Sequence, residues 1–349
     1  MRDNLAVIEG EYLRDILHQP QALENTLAIL KTSKPLLDLA ARLNKGRFQR
    51  VVLTGMGGSF HALHPLSLEL IAHGFTAVMV ETSELVHYET GFFDPRTLIM
   101  AVSQSGQSAE MVRLTQINRK RCAVIAVTNT PESPLAKHAN AVVLTKAGHE
   151  FSVSCKTYVT TLLALKMLGD VLCERDLRRT GRELKHASPV TAAYLADWRG
   201  HVGSFAETLA GIRQLYLVGR GASLASVGTG ALITKESAHF PAEGMSSAAF
   251  RHGPIEMLGK ETFVLVFAGD IKTRDLNIRL LLDIQRRDGR SEWVGEDAPL
   301  SCCRIPKHGS SIQQILEILP VQMITLALAA QAGREAGRFA FTTKVTTTE

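Results

Sequence analysis

Three features of this 349-residue chain set the chemistry open to it: the hydroxyl-rich run Ser103-Gln104-Ser105-Gly106-Gln107-Ser108, a carboxylate at Glu236 and an imidazole at His252. Hydroxyls and amides at the start of a helix can donate to phosphate oxygens alongside the backbone N–H groups there. A carboxylate and an imidazole that follow a second glycine turn are what proton transfer on a phosphorylated small molecule needs. Glu236 shares a helical stripe of about 3.6-residue period with Leu232, Ile233 and Phe240. Partial desolvation on such a stripe raises a carboxyl toward the working range of a general base.

Each of these residues also has a plainer reading. Glu236 could be a helix-edge residue paired with Lys235 or a distant cation, and His252, just before Gly253-Pro254, could be a structural loop residue. The serines could be ordinary N-caps, although capping accounts for one hydroxyl more easily than for three.

The elements that must position these groups alternate between strand and helix. Arg50 to Thr54 reads as a strand, followed by Gly55-Met-Gly57-Gly58-Ser59 and a helix through Ala72. Strands follow at Ala77 to Val80, Leu98 to Val102, Cys122 to Thr128 and Ala141 to Leu144, with helices between them and a long one from Lys156 to Leu172. The pattern then repeats. Gly55-x-Gly57-x-Ser59 recurs as Gly219-x-Gly221-x-Ser223, an offset of 164 residues, after the apolar run Leu215 to Val218 and before a helix ending near Phe240. At that offset Leu98 meets Thr262 and Ser105 meets Gly269, and the matching late strands are AVVLTKAGH and SCCRIPKHG, each leading into a long apolar helix. Such alternation predicts parallel sheets covered by helices on both faces. The copies differ where the third strand ends: the serine run stands in the first and Phe267-Ala-Gly-Asp270 in the second. The first copy is thus expected to bind phosphate at the carboxyl ends of its strands, and the second to supply acid/base chemistry.

Composition narrows the class. Hydrophobic residues at 45% and charged residues at 21%, with a net charge of +5, describe an ordinary globular protein. Basic clusters such as Arg119-Lys-Arg121 lack interleaved aromatics, so a nucleic-acid partner is not expected. Five cysteines without CxxC spacing suggest neither disulfides nor zinc, and fit a reducing cytoplasm. No histidine spacing suggests another metal, and no signal peptide is read at the N-terminus. Ile315 to Ala330, the most apolar segment, carries Glu317, Pro320 and Gln322 and suits a buried helix better than a membrane span. Phe60 and Leu224 stand where a dinucleotide fingerprint needs its third glycine, so no nicotinamide cofactor, and no other cofactor, is expected.

Taken in order, GMGGS, SQSGQS, Ser154-Cys-Lys156, GRGAS, Lys235-Glu236, Arg251-His252-Gly253-Pro254 and Thr343-Lys344-Val-Thr resemble the sugar isomerase (SIS) family. Within it, the chain is most like the isomerase domain of glucosamine-6-phosphate synthase and the stand-alone aminosugar-phosphate deaminases and deglycases. The resemblance implies tandem three-layer αβα SIS domains. It places a helical lead-in at 1–48, a first, phosphate-binding domain at 49–175, a linker helix at 176–200 and a second domain with a catalytic tail at 201–349. It assigns phosphate and sugar contacts to Gly57, Ser59, Ser103, Gln104, Ser105 and Ser108, with Ser154 near the sugar. Glu236 would move a proton between C1 and C2, His252 would open the ring in a neighbouring subunit's site, implying a homodimer, and Lys344 would close over the substrate or form an imine with it. The synthase pattern K-x-K-E reads Ile233-Thr-Lys235-Glu236 here, and Arg2 follows Met1 where the synthase begins a glutaminase domain. Release of ammonia or an amine from a sugar 6-phosphate is therefore expected over glutamine-dependent synthesis, with a deglycase and a non-catalytic sugar-phosphate sensor as the alternatives.

Overall fold

Short apolar runs bounded by glycine turns are strands that a parallel sheet buries on both faces, and here they fold as such. In the computed structural model, which describes residues 5–348, the chain divides into two compact units. One, made of 21–150, 156–185 and 342–348, holds a five-stranded sheet. Its strands are β1 (Arg50–Gly55), β2 (Ala77–Glu81), β3 (Thr97–Val102), β4 (Ala123–Thr128) and β5 (Ala141–Leu144). The other, made of 5–20, 151–155 and 186–341, holds β6 (Gln214–Gly219), β7 (Ala242–Ser246), β8 (Thr262–Phe267) and β9 (Arg290–Val294). Helices flank both sheets, and every strand pair is parallel.

The strand orders are β2-β1-β3-β4-β5 and β7-β6-β8-β9. In each, the chain steps outward on one side of its first strand and then returns to the other side. The first and third strands become neighbours, and a crevice opens at their carboxyl ends where the order reverses. Register refines the repeat. Arg50 pairs with Thr97 as Gln214 pairs with Thr262, so the offset is 164 residues at the first strand and 165 at the third. The sequence alignment of Leu98 with Thr262 is therefore one residue out, because an added residue between the strands does not disturb either apolar run.

All six residues of β3 and all six of β8 are buried, which makes these strands the floor of each crevice. In the five-stranded unit Val52, Ile99, Ala101 and Val124 pack with Met111 and Leu114 of the helix Ala109–Asn118. In the four-stranded unit Tyr216, Val218, Val264 and Val266 pack with Phe250, Leu280 and Ile284.

Two further expectations change. The helix carrying Glu236 runs Leu224–Ala238 and stops at His239, whose φ of 50° is left-handed, so Phe240 lies beyond the helix and off the Glu236 stripe. SCCRIPKHG does not form a fifth strand in the second sheet. Ser301–Cys303 is a single tight turn, and only an isolated parallel bridge joins Gly295 to Arg304. The Tyr194 hydroxyl holds the Cys302 carbonyl, and Arg304 donates to the carbonyls of Ala298 and Pro299, so this stretch is tied by side chains in place of a ladder. The helical lead-in opens, within the described residues, with a short turn at Ala6–Ile8 and a helix at Glu11–Leu17. The most apolar helix, Gln313–Gln331, is the core helix of its unit. It is long and apolar enough to cross a membrane, yet 94% of that stretch is buried.

Candidate functional site

Loop 103–108 leaves the carboxyl end of β3, beside the turn that ends β1. Its backbone is pinned through one carbonyl: Gln104 O accepts the Asn129 N–H at 3.1 Å, the Thr128 hydroxyl at 3.1 Å and the Thr130 hydroxyl at 3.4 Å. Ser103 Oγ accepts the Gly106 N–H at 3.1 Å and Ser105 Oγ accepts the Gln107 N–H at 3.3 Å. A hydroxyl that accepts from its own loop still has its proton to donate, so both serines are oriented as donors. Gly106 has a φ of 61°, and a Cβ there would lie 2.2 Å from Ser133 Oγ, so the loop closes only over glycine. Ser108 is the N-cap of the helix Ala109–Asn118, but its hydroxyl caps no backbone N–H. It sits half-buried beside a helix N-terminus whose dipole favours an anion. Across the crevice, Gly57 with φ of 51° begins the short helix Gly57–His61, which carries the half-buried Ser59. Gly57, Ser59, Ser103, Gln104, Ser105 and Ser108 thus belong to two loops at neighbouring strand ends of one sheet.

Lys344 belongs to the same unit. Its Nζ lies 2.7 Å from Oε2 of Glu150, a fully buried carboxylate that also accepts the Thr157 N–H at 3.0 Å and the Thr157 hydroxyl at 2.6 Å. Burial alone would push the Glu150 carboxyl up; the Lys344 charge and these hydrogen bonds outweigh it and hold the group below the usual carboxylate range. Thr346, two residues on, accepts the Ala109 N–H at 3.1 Å. Sequence reasoning missed Glu150. The signal was a carboxylate in a run of small and apolar residues just before the long helix Lys156–Leu172.

The four-stranded unit holds Ser154, Glu236 and His252. Glu236 is half-buried near the end of its helix, close enough to the buried Tyr12 that its charge adds to the burial that keeps that phenol protonated. His252 ends the short helix Ser247–Arg251 and is exposed, and Ser154 is half-buried. At the crevice between β6 and β8, Ser223 donates its hydroxyl to Glu317 at 2.8 Å, and Gln313 donates to the same oxygen at 2.8 Å. Burial pushes the Glu317 carboxyl up to about 7. The sequence raised Glu317 only as a polar residue in an apolar helix.

This arrangement of loops has a family match. The SIS domain family model covers residues 47–169, which include β1 to β5, the glycine turn and the serine loop. Residues 47–169 form a SIS domain. Over 92% of its length the chain is 29% identical to a glutamine–fructose-6-phosphate aminotransferase (isomerizing) of Pyrobaculum aerophilum, 54% of which is covered. The chain thus spans about half the length of that relative. It superposes on tagatose-6-phosphate ketose/aldose isomerase from Escherichia coli with a TM-score of 0.81 at 20% identity, covering 95% of this chain and 96% of the other. With glucosamine-6-phosphate deaminase from Thermotoga maritima the TM-score is 0.73 at 19% identity, over 93% and 96% of the two chains. At these identities the structural likeness is one of fold, and it extends well past the SIS domain into the four-stranded unit.

Proposed function

We propose that this chain is a sugar-phosphate isomerase of the deaminase type, converting an aminosugar 6-phosphate resembling glucosamine 6-phosphate to a ketose 6-phosphate and ammonia. The observation that carries this reading is the serine loop of the SIS domain. Two of its hydroxyls accept from their own loop and the third caps nothing, so all three are left to donate to an anion at the start of a helix. A phosphate there receives hydroxyl protons and a helix dipole together, without a metal ion to neutralise it.

In this reading the four-stranded unit is a second SIS-like copy that has kept the fold and changed its task. Glu236 takes the proton from C2 of the open-chain aminosugar, giving an enolamine, and returns it at C1; the resulting C2 imine is hydrolysed by water to the ketose and ammonia. His252 assists ring opening, Ser154 contacts the sugar and Lys344 shields it. Two copies of the chain form the working enzyme, which is placed in the cytoplasm. Its names of likeness, an aminotransferase, a ketose/aldose isomerase and a deaminase, share phosphorylated sugars as their chemistry.

The test is direct. The protein is incubated with glucosamine 6-phosphate and, separately, with fructoselysine 6-phosphate, and ammonia and free lysine are measured. Ammonia from the first supports the deaminase reading, and lysine from the second replaces it with a deglycase. A panel of sugar phosphates that raises Tm while neither product forms leaves a sensor in place of an enzyme.

A further inference from the structure

Segment 342–348 forms neither helix nor strand, yet it is fixed at two points within the five-stranded unit. The Lys344 ammonium meets the buried Glu150 carboxylate at 2.7 Å, and the Thr346 carbonyl accepts the N–H of Ala109, the residue directly after Ser108, at 3.1 Å. The ion pair is the stronger tie. A carboxylate removed from water needs a cation beside it, whereas one backbone hydrogen bond to an exposed residue exchanges readily with solvent. Thr157 meanwhile donates to both Glu150 oxygens, so the acceptor is held in place independently of the lysine.

We infer that Glu150 is a positioning residue: its carboxylate latches Lys344 and so holds segment 342–348 against the first turn of the helix that the serine loop precedes. The first free N–H of that turn is then satisfied by the protein's own Thr346. The significance of the latch rests on the phosphate-binding reading of loop 103–108, but its existence does not, and the two are tested apart.

Hydrogen exchange followed by mass spectrometry reads the latch on the intact chain. In Glu150→Gln, exchange at the Ala109 amide and along 342–348 is expected to quicken about tenfold or more, with β1 to β5 unchanged. Lys344→Gln should quicken the same two regions to the same extent, and the double variant should go no further than either single one. Should Glu150→Gln loosen the whole unit, Lys344→Gln decides, because it changes only the tail residue and both Thr157 hydrogen bonds to Glu150 stay. Exchange at Ala109 and 342–348 that stays within about twofold of wild type in Lys344→Gln overturns the latch. Inorganic phosphate added to the wild type separately should slow exchange in 103–108. Failure of that protection alone removes the phosphate reading and leaves the latch standing.

Discussion

Ser223 gives its hydroxyl proton to Glu317, 94 residues further along the chain, at 2.8 Å. Ser223 is the repeat counterpart of Ser59, which has no such partner among the described residues. A carboxylate from the core helix Gln313–Gln331 therefore uses the hydroxyl that the other copy leaves open. This is a physical reason for reading only the first copy as an anion site: in the second, a resident carboxyl stands where an incoming anion would seek its donor.

Glu317 makes stability depend on pH. Burial raises its folded pKa to about 7 from an ordinary 4.5, so the folded state holds its proton more tightly than the unfolded state. Its contribution is full below the unfolded value and is lost as pH rises through the interval up to about 7, a swing of roughly 3 kcal/mol. We expect Glu317→Gln to flatten this slope, measured as the difference between wild-type and variant urea midpoints from pH 5 to 8. Parallel wild-type and variant profiles would show that Glu317 is not the group responsible.

Gly106→Ala tests the turn of the serine loop. The left-handed φ and the clash with Ser133 Oγ together should cost roughly 2 to 4 kcal/mol, and the displaced loop should lose its response to phosphate. Thermal unfolding with and without inorganic phosphate measures both. A variant as stable and as phosphate-responsive as wild type would mean that the loop rearranges freely.

Ser108→Ala and Ser133→Ala should separate binding from capping. Ser133 Oγ accepts the Ala136 N–H at 3.2 Å, so its loss should cost about 1 kcal/mol of stability. Ser108 caps nothing, so Ser108→Ala should leave stability within about 0.5 kcal/mol of wild type while weakening sugar-phosphate affinity about tenfold. Equal melting losses in the two variants would make Ser108 a structural cap after all.

Glu236→Gln preserves shape and removes the base. Turnover of an aminosugar 6-phosphate should fall about 100-fold or more, as should incorporation of solvent deuterium at the exchanging carbon, while binding is retained. Undiminished deuterium incorporation would transfer the role of base to another residue.

Much of this protein is legible in its sequence, because the relevant signals are local. The strands β1, β3, β4 and β5, the helix Lys156–Leu172 and both glycine turns follow from buried apolar runs and from residues that accept a positive φ. The serine loop announces itself by composition. Local pattern could not supply the partners. Glu150 and Lys344 are 194 positions apart and Ser223 and Glu317 are 94 apart, and a carboxylate's neighbours depend on which distant segments burial brings together. The same limit explains SCCRIPKHG, whose apolar residues suit a strand but whose Cys302 carbonyl is held by the Tyr194 hydroxyl, while the Arg304 side chain turns back to the carbonyls of Ala298 and Pro299. The sequence determined the elements and the chemistry each could offer. Tertiary structure alone decided which carboxylates are paired, which hydroxyls are left to donate and where segment 342–348 lies, because those outcomes turn on desolvation and long-range contact.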